Sequence, residues 1–138
     1  MESTDSAQLW KLNHRLLTRV MNAASPQFDD LGIETKEFFV LDEVDNCKYP
    51  AELAAQLMLP KASVTVYLRS LVAKGLVTRE IDETDLRRHR LSTTTEGRVV
   101  LERALAALAA EFGAMMDKVG ERDRADFRRI LLSIVTDE

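Results

Sequence analysis

The sequence predicts a mainly α-helical protein with one small β-hairpin, an α+β fold class. Apolar residues recur at helical spacing in six segments of the 138-residue chain, whereas residues 76–81 and, more weakly, 88–93 alternate apolar and polar positions. The hydrophobic fraction of 46% and the charged fraction of 30% are those of an ordinary globular domain. Because this length suits one domain, we expect residues 1–138 to form a single domain without a separate catalytic unit.

The composition also limits where the protein is expected to work. No apolar run approaches the roughly 20 residues that span a bilayer, and the N-terminus lacks a signal pattern of basic and then apolar residues. The single cysteine, Cys47, cannot form an internal disulfide, which agrees with a reducing compartment. We therefore expect a soluble, cytoplasmic protein.

Charge is distributed unevenly along the chain. Residues 61–90 contain seven basic and four acidic residues, a net charge of +3, although the whole chain carries a net charge of −4. A basic segment between acidic flanks is typical of a nucleic-acid-binding surface, but it is equally typical of a solvated charged face. Charge alone leaves both interpretations open.

The first half of the chain predicts three helices. The segment 5–24 places apolar residues on two faces of a helix, which we expect to end near Pro26 because the residue before a proline avoids helical angles. A short helix over 34–44 follows, and then a turn. Pro50 suits the first turn of a third helix, which ends at about Met58.

A fourth helix and the predicted hairpin follow closely. The helix spans 61–74 and ends at Gly75, a residue that favours the left-handed conformation at helix ends. Strands at 76–81 and 88–93 enclose a charged tip, so residues 34–93 predict a winged helix-turn-helix. In that arrangement the second helix of the pair enters the major groove of DNA, which is roughly 12 Å wide.

Side chains at the start of the 61–74 helix would then meet base edges, and basic residues of the hairpin would meet phosphates or a narrow minor groove. Lysine can donate to guanine, hydroxyls can bond to several bases, and small apolar side chains can touch a thymine methyl. The predicted DNA-binding residues are Lys61, Ala62, Ser63, Thr65, Val66 and Arg69 of the helix, and Arg87, Arg88 and Arg90 of the hairpin.

The C-terminal part predicts helices that need a partner. Thr93 and Glu96 have the spacing of a capping box, so a long helix begins near 94–97, and Gly120 separates it from a final helix within 95–136. The apolar stripe of the long helix repeats every seven residues, as in a coiled coil, although the same stripe could close a monomeric core. The predicted dimerisation residues, in helices 5–24 and 95–136, are Leu9, Leu16, Leu105, Leu108, Phe112, Phe127, Ile130 and Ile134.

Two segments carry recognisable motifs: PAELAAQLMLPKASVTVYLRSLVAKGLV and DETDLRRHRLSTTTEG. Together they resemble the MarR family of transcription regulators, whose wing signature is matched by Asp85, Arg87, Leu91, Thr94 and Gly97. The resemblance implies a homodimeric repressor that binds a pseudo-palindromic site on double-stranded DNA and responds to a small aromatic or anionic ligand. It also implies that Arg87 contacts the minor groove and that Asp85 stabilises the shape of the wing.

Four positions depart from the common family pattern. Met58 stands where glycine is frequent in the turn, and Pro60 stands where a serine or aspartate cap is common. Val66 replaces a frequent arginine, and Arg69 replaces a frequent acidic residue. We therefore expect the DNA-binding mode of the family and different backbone angles at Met58. These four residues leave the operator sequence open.

The remaining candidate sites concern ligands and reactive groups. Trp10, His14, Phe38 and Phe39 could line a ligand pocket, although aromatic residues at helical spacing more often belong to the core. Cys47 could sense oxidants, but no second cysteine is present to resolve it. With two histidines and no metal-ligand cluster, glycine-rich phosphate loop or nucleophile motif, we expect no cofactor and no enzyme. The alternative to a DNA-binding regulator is a winged-helix module that binds another protein.

Overall fold

The computed structural model describes residues 2–85 and 88–136. Its described part contains six α-helices and one two-stranded antiparallel sheet, which confirms the predicted fold class. In chain order the elements are α1 Ser3–Leu31, α2 Thr35–Cys47, α3 Pro50–Leu57, α4 Lys61–Ala73, β1 Val77–Ile81, β2 His89–Thr93, α5 Thr95–Met116 and α6 Glu121–Val135. Within these described residues, no helix has the length and apolar character needed to cross a membrane.

The hydrophobic core lies between α2, α3, α4 and the hairpin. Residues three and four apart share one face of a helix, so the buried positions of α4 turn a single face inward and leave the opposite face to solvent. This core therefore holds α3 and α4 in a fixed relation to the hairpin. Its largest fully buried side chains are Val40, Leu41 and Val44 of α2, Leu53 of α3, Val64, Leu68 and Leu71 of α4, and Val77 and Leu91 of the strands.

The first helix is longer than predicted. It runs through Pro26 to Leu31, and Gly32 ends it in the left-handed conformation with φ 70°. Proline within a helix costs about 3 kcal/mol because it removes a hydrogen bond. Beyond the proline, however, Phe28 is buried against Phe38 at a ring-centroid distance of 5.5 Å. Burying such a side chain contributes about 1.5–3 kcal/mol. The burial of Phe28 offsets the energetic cost of the proline, so the predicted end of α1 near Pro26 is wrong.

The second helix also extends past its predicted end, through the expected turn to Cys47. The hairpin holds its last turn, because the Asp45 carboxylate accepts a hydrogen bond of 3.0 Å from the backbone N–H of Thr93. The Lys48 carbonyl accepts another, of 2.6 Å, from the N–H of Leu91. Both donors belong to β2, which explains why local sequence patterns place the end of this helix too early.

The N-cap of α5 is Thr94, one residue later than the predicted capping box at Thr93. The Thr94 hydroxyl accepts a hydrogen bond of 2.9 Å from the N–H of Gly97 and donates one of 2.7 Å to the Gly75 carbonyl. Thr93 cannot serve as the cap because it pairs with Val77 in the sheet and is buried. Thr94 therefore joins the end of α4 to the start of α5.

Candidate nucleic-acid interface

One face of α4 is exposed, and it carries most of the predicted base-contacting residues. Its exposed members are Lys61, Ala62, Thr65, Val66 and Arg69, and Ser63 is half-buried at the side. Val64, Leu68 and Leu71 are buried on the opposite side of the helix. Because residues three and four apart are neighbours on a helix, the exposed members form one continuous row, which we call the α4 face.

The α4 face combines polar, charged and apolar groups. The Thr65 hydroxyl donates a hydrogen bond of 2.9 Å to the Lys61 carbonyl, so its oxygen remains free to accept from a ligand. Val66 is 59% exposed, a high value for an apolar side chain in a helix with a well-packed inner face. Lys61 and Arg69 add positive charge at the two ends of the row. Such a surface can bond to base edges and touch a thymine methyl.

The turn that leads into α4 keeps the geometry that glycine usually provides. Met58 ends α3 with φ 55° and ψ 39°, in the left-handed region, so the expected change of backbone angles at this position is wrong. The N–H of Leu59 bonds to the Ala54 carbonyl at 3.1 Å, which is a helix-ending bond that offsets the cost of this conformation. Pro60 is the N-cap of α4 and supplies no side-chain hydrogen bond, as predicted.

An ion pair between the buried Glu37 and the partly exposed Lys74 holds the C-terminal end of α4 against α2. Glu37 is 2% exposed, and its carboxylate oxygens accept hydrogen bonds of 2.7 and 2.9 Å from Nζ of Lys74. The Ser70 hydroxyl and the Glu34 N–H donate further bonds of 2.8 and 3.1 Å. Burial would raise the pKa of Glu37, but the bonds from Lys74, Glu34 and Ser70 outweigh it and keep the pKa below its ordinary value. An ionised Glu37 therefore positions α4.

The wing, residues 77–93, is tied to the start of α3 through Asp82. This residue is 8% exposed and accepts hydrogen bonds from the Thr84 N–H at 2.8 Å, from the Thr84 hydroxyl at 2.7 Å, and from the Tyr49 hydroxyl. The bonds from Thr84 and Tyr49 hold the pKa of Asp82 well below its usual range. The same bond to Asp82 raises the pKa of Tyr49. The Tyr49–Asp82 contact was not predicted, although the Asp-x-Thr spacing is typical of a side chain that bonds the backbone two residues on.

Two residues of the family's wing signature, Asp85 and Arg87, fall between β1 and β2 in the sequence. Arg87 lies outside the described residues, so its contact with the minor groove stays a prediction. The Asp85 carbonyl accepts a hydrogen bond of 3.0 Å from the N–H of Arg88. The role predicted for the Asp85 carboxylate is not tested by this backbone contact and also stays a prediction.

The other two predicted wing arginines differ in their surroundings. The guanidinium carbon of Arg88 lies 3.5 Å from the centroid of the Tyr49 ring, and Nη2 lies 3.3 Å from Oε1 of Glu52. Arg88 therefore has partners within the protein. Arg90 is exposed and lies opposite Glu80 in the sheet, on the face that turns away from the core.

The four residues predicted to line a ligand pocket do not meet within one chain. Trp10 stacks on His14 with a ring-centroid distance of 5.2 Å and is 64% exposed. Phe38 belongs to the core, where its ring contacts Phe28 and Phe39. His14 and Phe28 are separated along α1 by roughly 21 Å at 1.5 Å per residue. Within one chain these four residues therefore do not line a shared pocket, and the predicted ligand pocket stays a prediction.

Cys47 is half-buried at the end of α2. Burial raises the pKa of its thiol, and the nearby carboxylates of Glu43 and Glu52 raise it further. A thiol with a raised pKa stays protonated at neutral pH, and the thiolate is the reactive form. These surroundings do not favour the hypothesis that Cys47 senses oxidants.

The terminal helices carry an apolar face that is uncovered within the described chain. Among the predicted dimerisation residues, Leu9, Leu105, Ile130 and Ile134 are exposed, and Leu16, Leu108, Phe112 and Phe127 are half-buried. Helix α6 contributes no buried residue at all in its described span. Large apolar faces of this kind mark interaction surfaces. A groove of about 500 Å³ along α5 and α6 is lined mainly by Phe112, Met116, Phe127, Leu131, Leu132 and Val135.

A helix-turn-helix that is followed by a wing and framed by long terminal helices defines the class of winged-helix proteins. Comparison with known proteins narrows this class. A model described as the MarR family matches residues 32–88, which include α2, α3, α4 and most of the wing. The match confirms the resemblance of these residues to the MarR family.

Individual relatives agree with this family. The HTH-type transcriptional repressor YetL of Bacillus subtilis is 29% identical over 108 residues, and the chain spans 65% of that relative's length with 75% of its own. The apo form of MarR from E. coli is 22% identical, with a TM-score of 0.79 over 93% of this chain and 97% of that one. CouR from Rhodococcus jostii, solved with p-coumaroyl-CoA, is 23% identical, with a TM-score of 0.75 over 96% of each chain. At these identities the structural matches establish the fold.

Proposed function

We propose that the protein is a homodimeric transcription regulator that binds a specific sequence in double-stranded DNA. The observation that carries the proposal is the α4 face, a row of donors, cations and methyl groups on a helix whose opposite side is packed into the core. A helix presented in this way fits the major groove, with its first turns beside the base edges. The relative named as a transcriptional repressor supports this function over a protein-binding module, and it supports repression over activation.

The dimer is proposed from the uncovered apolar face of α1, α5 and α6. A second copy would cover exposed side chains such as Leu9, Ile130 and Ile134. Full burial of a side chain of this type contributes about 1.5–3 kcal/mol. Twofold symmetry would then place the two α4 helices about 34–36 Å apart, one turn of DNA, so the binding site would be pseudo-palindromic.

A small aromatic or anionic ligand is proposed to modulate DNA binding. CouR, which has the same fold, holds p-coumaroyl-CoA. In this chain a cleft of about 420 Å³ between α1 and α5 is lined by the cationic Arg103 and the acidic Asp30, beside the apolar Leu31 and Ala107. Arg103 would supply the cation for an anionic group of the ligand. A screen of phenolic acids by thermal shift and by release of bound DNA tests the proposal. If no acid changes either quantity, this part of the function is wrong.

A gel shift tests DNA binding directly, with the DNA that flanks the protein's own gene at several salt concentrations. We expect specific retardation and an affinity that falls steeply with salt, because each neutralised phosphate releases counterions. Lys61→Ala should lower the affinity about tenfold. Lys36→Ala removes an equal charge from α2, next to Glu37, which contacts the other end of α4. This variant should leave the affinity unchanged. Retardation that ignores sequence, or an equal loss in both variants, would contradict the proposal.

A further inference from the structure

Four side chains attach the wing to the start of α3, and we call them the wing anchor: Tyr49, Glu52, Asp82 and Arg88. Tyr49 is the N-cap of α3, and its hydroxyl donates to the Asp82 carboxylate just past the end of β1. Asp82 is buried and accepts two more hydrogen bonds from Thr84. A buried carboxylate with several donors fixes its position closely, so Tyr49 defines where β1 ends relative to α3.

The second strand is attached to the same place. Arg88 immediately precedes β2, and its guanidinium lies over the Tyr49 ring at 3.5 Å while it also pairs with Glu52 of α3 at 3.3 Å. Its carbonyl accepts a hydrogen bond of 2.9 Å from the N–H of Asp82, which closes the wing across its two strands. The planar guanidinium is suited to stacking on an aromatic ring, and an ammonium is not suited in the same way.

These contacts affect DNA binding because they decide the orientation of the wing. A two-stranded hairpin is only marginally stable in isolation, so outside contacts decide its orientation. The wing anchor attaches the wing to α3, and α3 packs through the core against α4. The anchor therefore sets the position of the wing relative to the α4 face, although none of its four residues belongs to that face.

We propose that Tyr49 and Arg88 are positioning residues for DNA binding, which hold the wing where it meets the DNA backbone when α4 occupies the major groove. The inference rests on the proposed function. It changes the role predicted for Arg88, whose charge is used inside the protein rather than on a phosphate. It also assigns a role to Tyr49, which sequence analysis did not single out.

The Tyr49→Phe variant tests this inference, because it keeps the ring beneath Arg88 and removes only the hydroxyl. Asp82 keeps its two bonds from Thr84, so the fold should persist. We expect an affinity for operator DNA about tenfold lower, and a salt dependence weakened by about one phosphate contact although no charge has changed. Tyr67→Phe makes the same chemical change on the side of α4 away from the α4 face and should bind like the parent protein.

Arg88→Lys separates positioning from direct contact. A lysine keeps the charge and would replace a phosphate contact, but it loses the planar stack on Tyr49. We expect Arg88→Lys to bind as weakly as Tyr49→Phe, with no further loss when both changes are combined. Parental affinity in either single variant, or losses that add in the double variant, would overturn the inference.

Hydrogen exchange of the free protein provides a second readout that does not depend on DNA. Tyr49→Phe should speed exchange of the amides of residues 77–82 and 88–93 while leaving those of α5 unchanged. Unchanged exchange in the wing would overturn the inference. If the parent protein binds no specific DNA but the wing amides respond, the proposed function fails and the anchor itself stands.

Discussion

Replacing Gly97 by alanine is expected to lower the free energy of unfolding by about 3 kcal/mol, because there is no room for a side chain at this position in the first turn of α5. A Cβ atom at this position would lie 2.1 Å from the Leu76 carbonyl oxygen and 2.8 Å from Cγ2 of Thr93. The carbonyl cannot retreat easily, since it also accepts a hydrogen bond of 3.0 Å from the N–H of Thr94. The glycine of the wing signature thus allows α5 to approach the hairpin.

Urea unfolding measures this effect, and Gly113→Ala is its matched control. Gly113 lies in the same helix, and a Cβ there would meet no atom within 4 Å. Alanine is favoured over glycine inside a helix by about 0.5–1 kcal/mol, so this variant should be as stable as the parent or more so. Equal stabilities of the two variants would show that the close approach at Gly97 is not a constraint.

Replacing Lys74 by methionine is expected to destabilise the protein by about 2 kcal/mol at pH 7, because it leaves the Glu37 carboxylate buried without its cation. Removing one partner of a buried ion pair costs about 3–5 kcal/mol. Here Lys74 is 36% exposed, so solvent weakens the pair and the expected cost falls below that range. Glu37→Gln is the matched control, since glutamine keeps the shape of the side chain without a charge.

The pH dependence of stability distinguishes this effect from lost packing. The pKa of Glu37 is lower in the folded protein than its ordinary value, so its contribution is complete above the unfolded pKa of about 4.3. It is lost as the pH falls through the lower folded pKa. The deficit of Lys74→Met should therefore shrink as the pH falls below the unfolded pKa and Glu37 becomes protonated. A deficit that is constant from pH 7 to pH 3, measured by urea unfolding at each pH, would contradict this account.

Periodic patterns were sufficient to predict the six helices and both strands, because each element carries apolar residues whose spacing is visible in the sequence. The predicted ends of α1 and α2 are wrong because contacts with residues distant in the sequence determine where these helices end. Phe28 continues α1 past Pro26 through its contact with Phe38, and Asp45 extends α2 through a bond to Thr93. Neither partner is adjacent in the sequence, so local patterns cannot reveal these contacts.

Some features of the candidate site could likewise be predicted from the sequence, and others could not. The α4 face could be predicted, because helical spacing alone sorts Thr65 and Val66 from the buried Val64 and Leu68. The contacts that position the α4 face could not be predicted. Glu37 lies 37 residues from Lys74, and Tyr49 lies 33 residues from Asp82, and each pair meets only through the tertiary fold. The charge count of residues 61–90 also includes Lys74, whose ammonium group in fact pairs with a buried carboxylate.

The proposal that α4 contacts bases makes Val66 the most informative position to change. Its side chain is exposed on the α4 face and contributes only methyl groups to a contact with DNA. Val66→Ser removes these methyls without changing charge, so any effect on sequence preference would come from a lost apolar contact. Val99→Ser is the matched control, because Val99 is similarly exposed but lies on α5.

The most direct test of the central claim is therefore a binding-site selection from random duplex DNA, performed with the parent, Val66→Ser and Val99→Ser proteins. The parent should select a pseudo-palindrome whose half-sites lie about one helical turn apart. Val66→Ser should select the same site with an altered preference at one symmetric pair of positions, and Val99→Ser should select the parental site. An unchanged preference in Val66→Ser, or a parent that selects no sequence, would contradict the claim that α4 reads DNA.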